Sequence, residues 1–219
     1  MSVYLAAVGN FLSPIRAVAS IERIKRREGD SDVQHLSWTS GTLARQIHVE
    51  RFLETKHDSI FMLDEDMEYP SDCLERLRSH GEPLVSGLYL RRDPAQLLPA
   101  AWKEPSRIDD FPMLPLLDFP LDALIPAGAI GHGYCLVHRE VVLAVQQQAA
   151  GGPVMLRAPM PEWTGDPALH VGPDVRFFLF ARRAGYRLWV DTGCRAKHYT
   201  LVSLDVDHYL RYAKSQDHD

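Results

Sequence analysis

Ser59 to Met67 reads SIFMLDEDM, a short apolar strand that runs straight into the acidic triplet Asp64-Glu65-Asp66. In a strand, alternate side chains share a face, so Asp64 and Asp66 converge at its end while Glu65 points away. Two carboxylates held together repel unless they are protonated or bridged by a cation. A hard divalent ion, with oxygen ligands and positions left open for phosphate, is their natural partner. A solvated acidic turn carries the same residues. An EF-hand does not fit: no glycine stands at the turn position and no Glu closes a loop of the right length.

Working outward, the chain alternates strand and helix. Val3–Val8 is an apolar strand ending at Gly9-Asn10, and Ser13-Pro14 reads as a helix start with Ser13 as N-cap. That helix carries the stripe Ile15, Val18, Ile21 and Ile24 and stops at Gly29. A strand over 33–38, a helix over 41–55, a short helix capped by Ser71 and ending at Gly81, and a strand over 83–90 follow. Further on, the pattern predicts a strand over 130–138, a helix over 139–150, a helix over 174–184 and a strand over 186–190. Such alternation predicts an α/β fold with a mainly parallel central sheet and helices on both faces. Ligands of such sheets bind beyond the carboxyl ends of the strands, where Asn10 and the Asp64 cluster fall.

Two segments break the pattern. Seven of the fifteen prolines lie in 91–126 and five more in 151–173, so both read as long surface loops. Trp102 and Trp163 sit in them, able to stack on a sugar or base or simply to pack. The chain reads as one domain over 1–213, with 214–219 a disordered polar tail.

Composition narrows the class. The 219 residues are 46% hydrophobic and 24% charged, with a net charge of −5 and no long basic run, so general binding to nucleic-acid backbone is not expected. Cys73, Cys135 and Cys194 are widely spaced with no CxxC pair, which argues for buried reduced thiols rather than a disulfide or zinc scaffold. The first apolar run is too short for a membrane span and lacks a charged n-region, so no anchor and a cytoplasmic protein are expected.

Three blocks carry a resemblance. FMLDEDMEYPSDCLERLRSHGEPLVSGLYLRR, from Phe61, resembles the DxD region of GT-A glycosyltransferases, which have a Rossmann-like fold. GHGYCLVHREVV, from Gly131, resembles the segment those enzymes place beneath the donor sugar. GPDVRFFLFARRAGYRLWVDTGCRAKH, from Gly172, is similar to their "ED" block with its late His. The blocks stand in the family's order; the N-terminal match is looser, limited to the first strand and the Ala44-Arg45 pair.

The resemblance implies a metal-dependent transferase that moves a sugar from a nucleotide-diphosphate sugar, a UDP- or GDP-sugar, to an acceptor. That acceptor is a glycan, protein, small molecule or modified nucleobase. It implies that Asp64, Asp66 and His198 hold Mn²⁺ or Mg²⁺. Asn10, Ser13, Arg45, Asp64 and Glu65 fall on the nucleotide side of the donor site, and Gly131, His132 and Gly133 on its sugar side. Asp174 matches the acidic residue that faces the acceptor, the general base of an inverting enzyme. Pro173 replaces the usual Glu before it, and an N-cap is the plainer role for Asp174. Inverting and retaining enzymes share this fold and metal motif.

Two rivals remain. A degenerate GT-A domain would bind a nucleotide or sugar without catalysis. A sugar-phosphate nucleotidyltransferase normally carries a Gly-rich loop with Arg and Lys after the first strand, where this chain reads GNFLSPIR. The histidines lack zinc-hydrolase spacing and no GxSxG elbow is present.

Overall fold

A computed structural model describes residues 1–9, 13–37, 39–93, 97–107, 110, 114–160 and 170–200. Asn10 and Trp163, and the expected tail over 214–219, lie outside the described residues. The elements run β1 (Val3–Val8), α1 (Ile15–Glu22), β2 (Gln34–Leu36), α2 (Gly41–Glu54), β3 (Ser59–Asp64), β4 (Met67–Glu68), α3 (Cys73–Ser79) and β5 (Leu84–Leu88). There follow β6 (Ala101–Trp102), β7 (Leu124–Ala127), β8 (Ala129–Ile130), β9 (Tyr134–His138), α4 (Arg139–Gln148), β10 (Ala158–Pro159) and β11 (His170–Val171). The last three are α5 (Pro173–Arg183), β12 (Leu188–Arg195) and β13 (Lys197–His198).

Seven strands form the central sheet in the order β2-β1-β3-β9-β5-β12-β7. Five run one way; β9 and β7 run against them. The fold is therefore the expected α/β architecture with a mainly parallel sheet. Its helices cover both faces. Tyr4 of β1 lies against Phe52 of α2, ring centroids 6.1 Å apart. On the opposite face, the Tyr134 hydroxyl lies 3.0 Å from Cys194 Sγ, which in turn approaches the Cys73 carbonyl of α3. All three thiols are buried and unpaired, and burial pushes that of Cys194 up to about 11.

Local details correct the sequence reading. Pro14, not Ser13, is the N-cap of α1, and the helix stops at Glu22, before Gly29. Ser13 instead reaches Glu65 Oε2 at 3.4 Å. Asp72, not Ser71, caps α3, without a side-chain bond. The strand expected over 130–138 is broken into β8 and β9, because residues 131–133 leave the ladder. Gly172 caps α5, so Asp174 is not its N-cap. Both Pro-rich segments carry short strands: β6 in the first pairs with β8 just beyond it, and β10 pairs with β11 within the second. No helix among the described residues is long and apolar enough to cross a membrane.

Strand β12 carries an irregularity between Asp191 and Arg195 where it pairs with β5. The buried Asp191 carboxylate absorbs it, accepting from the backbone N–H of Gly193 and Cys194 at 2.9 and 3.1 Å. Arg76 donates two further bonds at 2.6 and 2.8 Å, and His80 lies at 2.8 Å. Burial alone would raise this carboxyl, but the bonds from Arg76, His80 and Gly193 outweigh it and hold it at about 2. A carboxyl depressed below its unfolded value adds stability at pH above that value and loses it as pH falls. Asp191→Asn should therefore cost about 3 kcal/mol at pH 7, and urea unfolding should show the deficit closing between roughly pH 4 and pH 2. A deficit unchanged at pH 2 would contradict the assignment.

Candidate active site

The site lies where β1 and β3 end side by side, Val8 opposite Asp64. Four other pieces reach the same edge. Because β9 runs against β3, its entry, Gly131–Gly133, meets the exit of β3: the Asp64 N–H bonds the Gly133 carbonyl at 3.2 Å. Tyr69 fastens this junction, its hydroxyl accepting from Asp64 N–H at 2.7 Å and donating to the Gly133 carbonyl at 2.6 Å. The chain leaving β5 brings Tyr89 and Arg92. Helix α2, capped by Ser40 on the Leu43 N–H at 3.3 Å, brings Arg45. Antiparallel pairing of β13 with β4 sets His198 opposite Met67, beside Asp66.

A cleft opens there, lined among others by Gly9, Ser13, Arg45, Asp64, Asp66 and Arg92. The two aspartates have different partners. Asp64 is ion-paired to Arg45, with both side chains mostly buried. Burial pushes the Asp64 carboxyl up; Arg45 counters this, while Asp66 and Asp174 add to it, and the net direction is upward. Asp66 accepts from Arg92 at 2.7 Å. Burial would raise Asp66 as well, but His198 and Arg92 outweigh it and hold it below the ordinary range. Arg45 is pushed up, its burial outweighed by Asp64 and Asp174.

His198 shows a donor mismatch. Its Nδ1 lies 2.7 Å from the Leu90 carbonyl, which can only accept, so Nδ1 carries the proton. Its Nε2 is buried, has no hydrogen-bond partner among the described residues, and stands 3.4 Å from Asp66 Oδ1. A neutral ring would set its Nε2 lone pair against the carboxylate oxygen, acceptor against acceptor. A second ring proton or a cation resolves this. A backbone carbonyl on the far ring nitrogen is the usual support of a metal-binding histidine. The pair therefore suits a divalent ion, although among the described residues no three His, Cys, Asp or Glu side chains gather into a metal-holding group.

β3 ends at Asp64, and in the turn that follows Glu65 points to a different set of partners from the two aspartates. Its Oε1 lies 2.5 Å from His35 Nδ1, and Ser37 donates to its Oε2 at 3.2 Å. It sits over Gly9, where a Cβ would overlap its carboxylate. His35 also contacts Glu22 at 2.8 Å. Burial would lower His35, but Glu65 and Glu22 together raise it. Ser13 and Glu65 thus meet at the rim of the cleft.

The Gly131-His132-Gly133 segment leaves less open room than its composition suggests. A Cβ on Gly131 would overlap the Tyr89 hydroxyl, and one on Gly133 the Asp64 carboxylate. His132 is 1% exposed, and its Nδ1 lies 2.6 Å from Asp174 Oδ1. Burial would raise Asp174, but the His132 bond, and then Arg45, bring it below the ordinary range. Sequence reasoning missed three participants: Arg92, Tyr89 and His35. The Arg91-Arg92 pair directly after a strand was the available signal for the first. Trp102 lies under the Arg91 guanidinium, 4.6 Å from the ring centre.

No family model and no curated protein matches the chain. Solved structures do. A197 from STIV superposes with a TM-score of 0.55 at 18% identity, over 92% of this chain and 87% of that one. GalNAc-T7, crystallised with UDP, GalNAc and Mn²⁺, gives a TM-score of 0.56 at 14% identity. That match takes in 98% of this chain and 47% of the other, so this chain spans about half the length of GalNAc-T7. GalNAc-T7 is a GT-A glycosyltransferase, and the chain has a GT-A-like fold.

The Gly133 contact yields a direct test of how the site is packed. Gly133→Ala would drive a methyl group into the Asp64 carboxylate and the Met67 side chain. Urea unfolding should show a loss of about 1–3 kcal/mol, as for other overpacking changes. An unchanged midpoint would mean that the Asp64–Gly133 junction is loose.

Proposed function

We propose that this chain is a metal-dependent glycosyltransferase that takes a sugar from a UDP- or GDP-sugar and passes it to an acceptor hydroxyl. The observation that carries the reading is the buried Nε2 of His198, without a hydrogen-bond partner among the described residues and facing Asp66 across 3.4 Å, at the edge where a GT-A-like sheet binds its ligand. Asp66 and His198 would hold Mn²⁺ or Mg²⁺, with Asp64 beside them; such an ion, when bound, neutralises a diphosphate leaving group. Arg45 and Arg92, each now on an aspartate, are the cations in reach of that diphosphate. Glu65, Ser13 and Asn10 would line the nucleoside side.

Asp174 serves as the base. It is held ionised and its side chain is 35% exposed, so it is open to an approaching hydroxyl. As the acceptor oxygen bonds to the anomeric carbon, its proton passes to the Asp174 carboxylate. The carbon–oxygen bond to phosphate breaks, and its electron pair leaves with the nucleoside diphosphate. The sugar is thereby inverted. The Pro-rich segments 91–126 and 151–173 would bound the acceptor side.

One observation favours a second reading, a binding module without catalysis: both aspartates are already neutralised by arginines. Calorimetry with UDP and GDP separates the two. The transferase reading expects Mn²⁺ to tighten binding tenfold or more, about 1.4 kcal/mol. Asp66→Ala or His198→Ala should remove that dependence with the melting temperature kept. Equal affinity in Mn²⁺ and in EDTA would sink it in favour of the binding module.

A further inference from the structure

Histidine 132 is an odd residue for the place it fills. Its side chain is fully buried, stacked on Phe178 with ring centroids 4.9 Å apart at 14° and edge-on to Phe177, also at 4.9 Å. Both phenylalanines belong to α5, the helix whose first turn carries Asp174. One helix therefore supplies both the walls that fix the imidazole and the carboxylate that the imidazole binds. The ring's Nε2 is buried and without a hydrogen-bond partner among the described residues. Burying an imidazole with one nitrogen unsatisfied is costly, and an apolar side chain would pack there without that cost. The contact that offsets it is the 2.6 Å bond between Nδ1 and Asp174 Oδ1.

We infer that His132 is a positioning residue for Asp174: its buried Nδ1–H ties down Oδ1, so that Oδ2 is presented to the acceptor hydroxyl. The inference rests on the transferase reading above and sharpens it. His132 cannot itself meet the acceptor, because its side chain is wholly enclosed while that of Asp174 is about one-third exposed. An ionised carboxylate only accepts, so the imidazole donates from Nδ1; no acceptor meets Nε2 among the described residues, so that nitrogen is assigned as the bare one. A carboxylate anchored at one oxygen loses the rotation that would spoil proton transfer at the other. The pair also joins the entry of β9 to the start of α5, holding the base to the sheet edge that bears Asp64.

Other groups act on Asp174 from every side: Arg45 of α2, Asp64 of β3, Tyr89 beyond β5 and Cys135 of β9. Arg45 favours the ionised form; Asp64 opposes it. Removing the His132 donor takes away the largest influence that holds Asp174 low. The base then protonates at higher pH, and the acid limb of the rate profile moves upward.

The test is metal-supported hydrolysis of UDP- and GDP-hexoses, with water as acceptor, followed across pH in three proteins. Relative to wild type, His132→Leu should lose on the order of 10- to 10²-fold in kcat, with KM nearly unchanged and the acid limb shifted to higher pH. His132→Asn, whose amide nitrogen can stand where Nδ1 stood, should recover most of the rate and the original limb. A uniform loss without a shift of the limb, or no recovery by Asn, would overturn the inference and assign His132 to packing alone. The ring itself reads the pair without turnover: ¹⁵N spectra of the intact protein should show His132 protonated at Nδ1 and bare at Nε2, and Asp174→Ala should abolish that pattern. The opposite tautomer would refute the bond even if hydrolysis proceeds. The expected tautomer in a protein that binds UDP but hydrolyses no donor would instead overturn the transferase reading, and the base-positioning role with it.

Discussion

Three carboxylates crowd one edge of the sheet, those of Asp64, Asp66 and Asp174, and the surrounding side chains are arranged to answer their charge. Like charges in partly dry surroundings push one another toward protonation unless cations oppose them. Here Arg45 stands on Asp64 and Arg92 on Asp66, while Asp174 has the Nδ1–H donor of His132. The result is uneven. Asp64 is displaced upward while Asp66 and Asp174 are held low. Perturbed carboxylates gather at functional sites and also in structural ion-pair networks, and this edge holds three of them.

The crowding follows from topology. Strand β9 enters between β3 and β5 with the opposite direction, so a chain that leaves the sheet at Asp64 finds the start of β9 at the same edge. An all-parallel sheet would carry Gly131–Gly133 to the far side. The same edge receives the exit of β5 with Arg92, and, through the small β4–β13 pair, His198 beside Asp66. Tyr69 clamps Asp64 to Gly133 at the centre of this convergence. The site is thus assembled from segments as distant in sequence as Arg45 and His198 by backbone pairing, and the side chains then only have to meet locally.

Much of this was readable from residue order. Apolar runs gave the strands at Val3 and Ser59, and the alternation gave an α/β sheet, because both rest on periodicity within a few residues. Alternation suggested that Glu65 parts from Asp64 and Asp66, but the strand stops at Asp64 and the turn after it does the separating. The direction of β9 was not readable, since an apolar strand looks the same whichever way it pairs. Nor was the His132–Asp174 bond, which joins residues 42 apart through packing of α5. Helix starts were misread at Ser13 and Ser71, where a hydroxyl suited to capping lay one or two residues from the true end and was not used for it. Ser13 had a tertiary partner, Glu65, and the long-range contact won.

In the proposed reading this edge transfers sugars rather than merely holding nucleotides. The most direct measurement is release of nucleoside diphosphate from a panel of UDP- and GDP-sugars in Mn²⁺, comparing the wild type with Asp174→Asn. The account predicts turnover with at least one donor, lowered by roughly 10²- to 10⁴-fold in the variant, with donor affinity retained. Tight, metal-supported binding of a donor with no release in the wild type, whatever acceptor is supplied, would contradict it.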